Sequence, residues 1–453
     1  MPVPVPEALA MTDQTPAGPH GPLAHVIATR GGAQAGPHVR IQHREALIYT
    51  LGKAAELEHL IMLQYLYTAF SLKQASDGLT EEQAGATRRW RRTLMEIAEQ
   101  EMLHLALVQN LLTAVGGAPR LARPNFPVAP YLYPAAIQVR LVPFSETALR
   151  HFAFLERPEG MAVDDAEGFE ALARTAELPH DEADEIAPHV QDFSTIGQLY
   201  RSIEAGMEHL AEKLGPQRLF VGQPNAQATE EHFRWPELVA VTDLASARRA
   251  IDTIVEQGEG ARGEWREAHF GRLLGILDEL VAAQAADPAF DPARPVRAAV
   301  VRPHGTARDV PVIEDPGTAR CMDLLNVVNE VLLQLLSRYF AHTDESDEQL
   351  GVLADVSVGL MYQAIRTLGM VATSLPIGFN QPGTAGPSFE LFYEVDYLLP
   401  HRRAAWILME ERMREAAAFA LRCGEACSPM LMEPLAKVAK ALGTFADQLA
   451  AAG

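Results

Sequence analysis

The sequence predicts an all-α protein: a four-helix bundle with one long crossover between its second and third helices, followed by a second four-helix domain. Three observations predict it. Apolar residues recur at helical spacing over long stretches. Those stretches fall into two sets of four, divided by a Pro-, Ala- and Asp-rich run at 285–317. Within the first set, a passage studded with prolines and then rich in acids separates the second stretch from the third, as a single crossover would. The expected organisation is a mobile tail at 1–39, a first bundle at 40–284, a linker at 285–317 and a C-terminal helical domain at 318–453.

The tail is rich in Pro, Gly and Ala and has no period. The first helix, His43–Leu72, buries Leu47, Leu51, Ala54/Ala55, Ile61/Met62 and Tyr65, and Glu58 interrupts that stripe. Glu56 and His59 fall off it and are expected to be solvated. After a polar connection, Gln74–Arg88, the second helix runs over Arg91–Ala114 until Gly116, Gly117 and Pro119 close it. Its stripe is Leu94, Ile97, Ala98, Leu105, Val108, Leu111 and Leu112, with Glu101 and His104 on the same face. In the crossover, prolines between Pro124 and Pro143 forbid a continuous helix and leave Ile137–Val142 as a short extended piece. Ser145 is placed to cap a short helix to Leu155, and 156–188 reads as acidic and either irregular or weakly helical.

The third bundle helix, Ser194–Leu214, turns Ile196, Leu199/Tyr200, Ile203, Met207, Leu210 and Leu214 inward. Glu204 borders this side, while Glu208 and Gln198 point away. The fourth begins at Thr242 or Asp243 and runs through Ala250, Ile251, Ile254 and Val255, a line that Glu259 continues. His269 leads a further apolar face of Phe270, Leu273, Leu274 and Leu277. Ten helical residues turn through about 1000°, so Glu259 and His269 share a face only if the helix breaks, and Gly258, Gly260 and Gly263 supply the break. The second set comprises Ala319–Ala341, Glu348–Thr373, Pro400–Arg422 and Pro429–Ala451. It carries no Glu-x-x-His, and its long aromatic connection, Ser374–Tyr397, is expected to line a pocket.

Burying an ionised Glu without a partner costs several kcal/mol. Inward carboxylates and imidazoles on separate bundle helices therefore ask for a cation, and an inward Glu facing a Glu-x-x-His makes half of a carboxylate-bridged dinuclear site. The expected metal ligands are Glu58, Glu101, His104, Glu204, Glu259 and His269. Glu204 reads equally well as a flanking surface charge. Arg262 and Arg266 offer the alternative of a metal-free protein in which arginines neutralise the inward acids.

The 453 residues carry a net charge of −21, which argues against nucleic acid or an anionic membrane as partner. No apolar run approaches the ~20 residues of a transmembrane helix. The start lacks the charged-then-apolar pattern of an export signal. The three cysteines, Cys321, Cys423 and Cys427, are too few for a disulfide framework, and a cytoplasmic protein is expected.

Several stretches together resemble one family: LEHLIMLQYLYTAFS around Glu58, EIAEQEMLHLALVQNLLTAVGGAPRL around Glu101, the PYLYP…LVPFSETALRHFAFLERPE crossover, IGQLYRSIEAGMEHL, and AIDTIVEQGEG…HFGRL. From Glu45 to Leu277 the chain is similar to the ferritin-like domain of the iminophenyl-pyruvate dimer synthase family of violacein- and rebeccamycin-type biosynthesis. The resemblance implies a bacterial secondary-metabolism oxidoreductase and the oxidative coupling of imines made from tryptophan. It also brings haem as a cofactor, for which the residues supply no Cys-x-x-Cys-His.

Read from the residues, the leading function is a non-haem oxidase or oxygenase. It would hold one or two metal ions, iron first, and act with O2 on a small organic, amino-acid-derived substrate. Tyr65 and Tyr200 would border the site as relays or as packed core. Iron storage uses the same ligands but fits this second bundle and crossover poorly, and a structural helical protein is the third reading. Oligomeric assembly is left open.

Overall fold

A computed structural model describes residues 39–129, 132–134, 137–169, 192–261, 264–303, 310–341, 344–392, 401–426 and 429–453. The expected tail lies outside them except for Val39, as do Arg262, Gly263 and Cys427 and most of the acidic stretch expected at 156–188.

The axis of the fold is α1, Arg44–Ser71, whose last two and a half turns and more are buried on every side. A helix apolar all round belongs in the middle of a protein. This explains why Glu56 and His59, expected in solvent, are buried as well. Glu56 meets Lys53 at 2.8 Å and Arg120 at 3.0 Å, and His59 Nδ1 donates to the Leu121 carbonyl at 3.1 Å. Against α1 lies α2, Glu81–Ala114. It starts ten residues before the expected position because Thr80 and Gln83 form a capping box: Gln83 N donates to Thr80 Oγ1 at 3.3 Å, and Thr80 N to Gln83 Oε1 at 3.0 Å.

Among the described residues, four further helices of ten residues or more complete the first bundle. The crossover helix α3, Glu146–Leu155, is capped by Ser145, whose Oγ accepts from Ala148 N at 3.1 Å. Thr195 caps α4, Ile196–Leu214, and Asp243 caps α5, Leu244–Gly258. The chain then breaks, and α6 runs over His269–Ala286. On the α1–α2 pair, α4 packs with α5 and α3 packs with α6, while α2 touches both α5 and α6. The break after Gly258 lets α5 and α6 approach α2 separately.

The C-terminal half holds α7 (Pro316–Ala341), α8 (Asp347–Gly359), a π-helical segment Leu360–Ile365, α9 (Arg366–Ala372), α10 (Arg402–Ala426) and α11 (Pro429–Ala452). α10 packs along α11, and α7 lies between α8 and α10. Among the described residues, the all-α fold carries one small sheet that periodicity did not reveal. The hairpin β2 (Pro376–Gly378) and β3 (Gln381–Ala385) sits in the long aromatic connection, and β3 also pairs in parallel with β1 (Val296–Arg297) of the expected linker. Ile137–Val142 is extended but joins no ladder. One continuous apolar core joins both halves. Gly369 of α9 lies flat on Phe70 of α1, leaving no space for a side chain between them.

Candidate metal centre

Glu58, Glu101, His104 and His269 come together inside the first bundle, all 2% exposed or less. The helical register explains the first three, since each occupies a position on the buried stripe where Leu would otherwise sit. The break after α5 explains the fourth: His269 is the first residue of α6 and turns inward at its start. A fifth member, Glu156, comes from the residue that ends α3.

These five side chains form two triads that share one carboxylate. Glu58, Glu101 and His104 place one ligand atom each within 4.8 Å of one another, and so do Glu101, Glu156 and His269. His104 Nδ1 lies 3.2 Å from Glu101 Oε2 and 3.7 Å from Glu58 Oε2. On the other side, His269 Nδ1 lies 3.0 Å from Glu101 Oε1 and 3.6 Å from Glu156 Oε1. The two oxygens of Glu101 thus face different imidazoles, whose ring centres are 5.5 Å apart.

The surrounding shell repeats on the two sides. His104 Nε2 donates to Gln257 Oε1 at 3.0 Å, and His269 Nε2 to Gln100 Oε1 at 3.2 Å. Each glutamine fixes its ring and leaves Nδ1 turned toward the carboxylates. Tyr200 donates to Glu58 Oε1, and Tyr65 to Glu156 Oε1. Arg272 holds Gln100 Oε1 at 2.9 Å and Glu96 at 2.6 Å.

Burial, and then the charge of Glu101, raises the Glu58 carboxyl to about 8. Burial also pushes Glu101 up, but His104 and His269 outweigh it and hold Glu101 well below the usual carboxylate range. Burial opposes a charge on His104, yet Glu101 and Glu58 beside it lift it to about 10. His269 is raised on the same balance by Glu101 and Glu156. Without an ion, protons stand in for positive charge.

The donor set fits a metal. Carboxylate oxygens and imidazole nitrogens suit a divalent first-row ion, and a carboxylate with one oxygen toward each triad suits two. His269 Nδ1 is buried 3.0 Å from Glu101 Oε1 yet makes no well-directed hydrogen bond to a described residue, so its lone pair is open to an ion shared with that carboxylate. Among those residues, no arginine or lysine pairs with Glu58, Glu101 or Glu156. Arg266, one candidate for that role, is exposed.

Two residues expected here lie elsewhere. Glu204 is at the bundle surface, 2.9 Å from Arg201 and 3.5 Å from Arg248, because its position borders the buried stripe without lying on it. Glu259 follows the end of α5 and turns against Gly197, where its Oε2 accepts from Glu159 N at 2.8 Å. Burial raises its carboxyl to about 7. Glu156 is missing from the expected ligands because it opens the acidic stretch that reads as irregular or weakly helical. A signal was present: Glu156 continues the Leu149/Phe152 line of α3 as Glu58 continues the line of α1. Gln100 and Gln257 carried none, since their partners come from distant segments.

The profile of the family described as ferritin-like matches residues 51–278, half of the chain, and that span holds all five side chains. This chain belongs to the ferritin-like family. The ferritin-like chain is 27% identical over 450 residues to a dichlorochromopyrrolate synthase of Lentzea aerocolonigenes, covering 91% of this chain and 42% of that protein. It is 29% identical over 412 residues to a 2-imino-3-(indol-3-yl)propanoate dimerase of Chromobacterium violaceum, covering 81% and 36%. Both are biosynthetic enzymes by name, and the chain spans about two fifths of their length. A solved ferritin-like protein from Caulobacter vibrioides aligns at a TM-score of 0.43 and 20% identity, over 70% of this chain and 96% of that one. Among the described residues, no helix is long and apolar enough to cross a membrane.

Proposed function

We propose that the cluster holds one or two non-haem metal ions, iron first, and that the chain is an oxidoreductase of secondary metabolism. Its substrate would be a small amino-acid-derived molecule, and the reaction an oxidative coupling of imine intermediates. The first bundle, 40–284, would carry the chemistry, and the helical half at 318–453 would support it. The observation that carries this reading is the sharing of Glu101 between two buried triads. The names of the two relatives support the substrate class and the reaction type.

When bound, redox-active iron would supply the electron transfers that such an oxidation needs, with O2 as the terminal electron acceptor. The chain's own residues do the rest. Glu101 offers one oxygen to each triad, with Glu58 and Glu156 at the ends. Tyr200 and Tyr65 hold those end carboxylates in place. Gln257 and Gln100 keep the proton of each imidazole on Nε2, so that Nδ1 is available as a neutral donor. The apolar helices around the cluster exclude water.

Metal analysis of protein purified without oxygen tests the reading. The native chain is expected to carry stoichiometric metal. Glu101→Ala and His104→Ala are expected to lower affinity by at least about 100-fold, beyond the usual effect of an outer partner, with helical circular dichroism retained. Unchanged stoichiometric iron in both variants would sink the site.

A further inference from the structure

A second site lies in the C-terminal half, on the outer side of α7. A cleft of about 630 Å³ opens between α7 and α10, with Arg302, Asp323, Phe392, Arg412, Phe419 and Arg422 among its walls. That volume is in the usual range for small-molecule pockets.

The walls are held by polar groups that a plain helical bundle does not need. Glu330 is fully buried, and it accepts from Phe392 N at 2.7 Å and from Arg412 Nη2 at 3.2 Å. Glu390, 3% exposed, accepts from Val301 N at 2.8 Å and Arg302 N at 3.4 Å. Burying two carboxylates costs several kcal/mol that apolar residues would avoid. Here they fix the backbone at Phe392 and Arg302, both of which face the cleft.

Its lining presents three kinds of group to a ligand. The Arg302 guanidinium lies 5.0 Å from the Phe392 ring centre and that of Arg422 lies 5.5 Å from Phe419. Neither forms an ion pair or a side-chain hydrogen bond with another described residue. Asp323 Oδ1 is buried and has no hydrogen-bond partner among the described residues. Burial pushes the Asp323 carboxyl up, against the pull of the nearby Arg302 charge. Two aromatic rings provide apolar contact.

We propose that this cleft binds a small aromatic α-amino acid, its ring against Phe392 and Phe419, its carboxylate on Arg302 and Arg422, and its ammonium on Asp323. Two guanidiniums outside any ion pair among the described residues, an acid oxygen lacking a donor and aromatic walls match the three parts of such a molecule. A simple aromatic acid would leave Asp323 without its donor, and a small aliphatic amino acid would leave the rings bare. The site is separate from the metal centre, so its failure would leave the metal reading untouched.

Titration calorimetry of the full chain with L-phenylalanine, 3-phenylpropionate and glycine tests this. L-Phenylalanine is expected to bind with one-to-one stoichiometry in metal-free and metal-loaded protein alike, with the other two at least about tenfold weaker. Asp323→Asn should remove the preference of L-phenylalanine over 3-phenylpropionate, and Phe419→Ala should weaken both. Arg422→Gln, on the exposed rim, serves if the Asp323 variant fails to fold, and it should weaken L-phenylalanine about tenfold. No saturable binding of L-phenylalanine, or binding unchanged in Arg422→Gln and Phe419→Ala, would overturn the proposal.

Discussion

Glu58 and His59 are neighbours on α1, yet the fold holds them in opposite ways. Burial and Glu101 raise Glu58 to about 8, so at neutral pH the metal-free site keeps a proton there. Loading a divalent ion must displace it. Metal binding in weak buffer is therefore expected to release protons, and affinity should rise from pH 6 to pH 9. A pH-independent affinity would contradict this protonation. His59 goes the other way: burial, and then Arg123, lower it to about 3, and its ring stays neutral. The unfolded chain takes up that proton below its ordinary value near 6.5, whereas the folded chain does not. Stability tied to His59 is thus complete above that value and is lost as pH falls toward 3. At pH 5 the loss is about 2 kcal/mol. Urea unfolding at pH 7 and pH 5 should show a smaller drop in His59→Gln by that amount.

At the scale of elements, α1 meets α9 with no space between them. A Cβ at Gly369 would lie 2.5 Å from the Phe70 ring. Gly369→Ala is expected to cost about 1–3 kcal/mol, as overpacking does, seen as a lower melting temperature. Phe70→Leu in the same background should recover part of it. Much of this level was legible in the sequence. The long helices, the caps at Ser145 and Asp243 and the break after Gly258 all follow from local pattern. The start of α2 at Glu81 could have been read from Thr80-x-x-Gln83, but the polar turns after it hid the signal. The β1–β3 pairing joins residues far apart in the chain, and no local period encodes it.

Over the whole molecule, the two helical sets share one apolar core. Asn125 and Leu391 exchange two hydrogen bonds of 2.8 Å, and Phe233 stacks edge-on to Tyr339 at 5.0 Å, each tying the first set to the second. Residues 40–284 expressed alone are therefore expected to aggregate or to melt without cooperativity in a thermal scan. A soluble fragment with a sharp transition would show that the first bundle is self-sufficient. The net charge of −21 lies around a core that hides its own acids, and it favours cations near the surface.

The sequence by itself determined the helices, their buried faces and the acids placed on those faces. Glu58, Glu101 and His104 were legible because a charge at a stripe position breaks a strong local period. Only the tertiary structure decided which other residues join them. Glu156 and His269 reach the cluster through a crossover and a helix break, while Glu204 and Glu259 turn to Arg201 and the Glu159 backbone instead. The direction a side chain takes at a helix end depends on how separate segments pack, and that is settled by long-range contacts rather than by spacing along the chain.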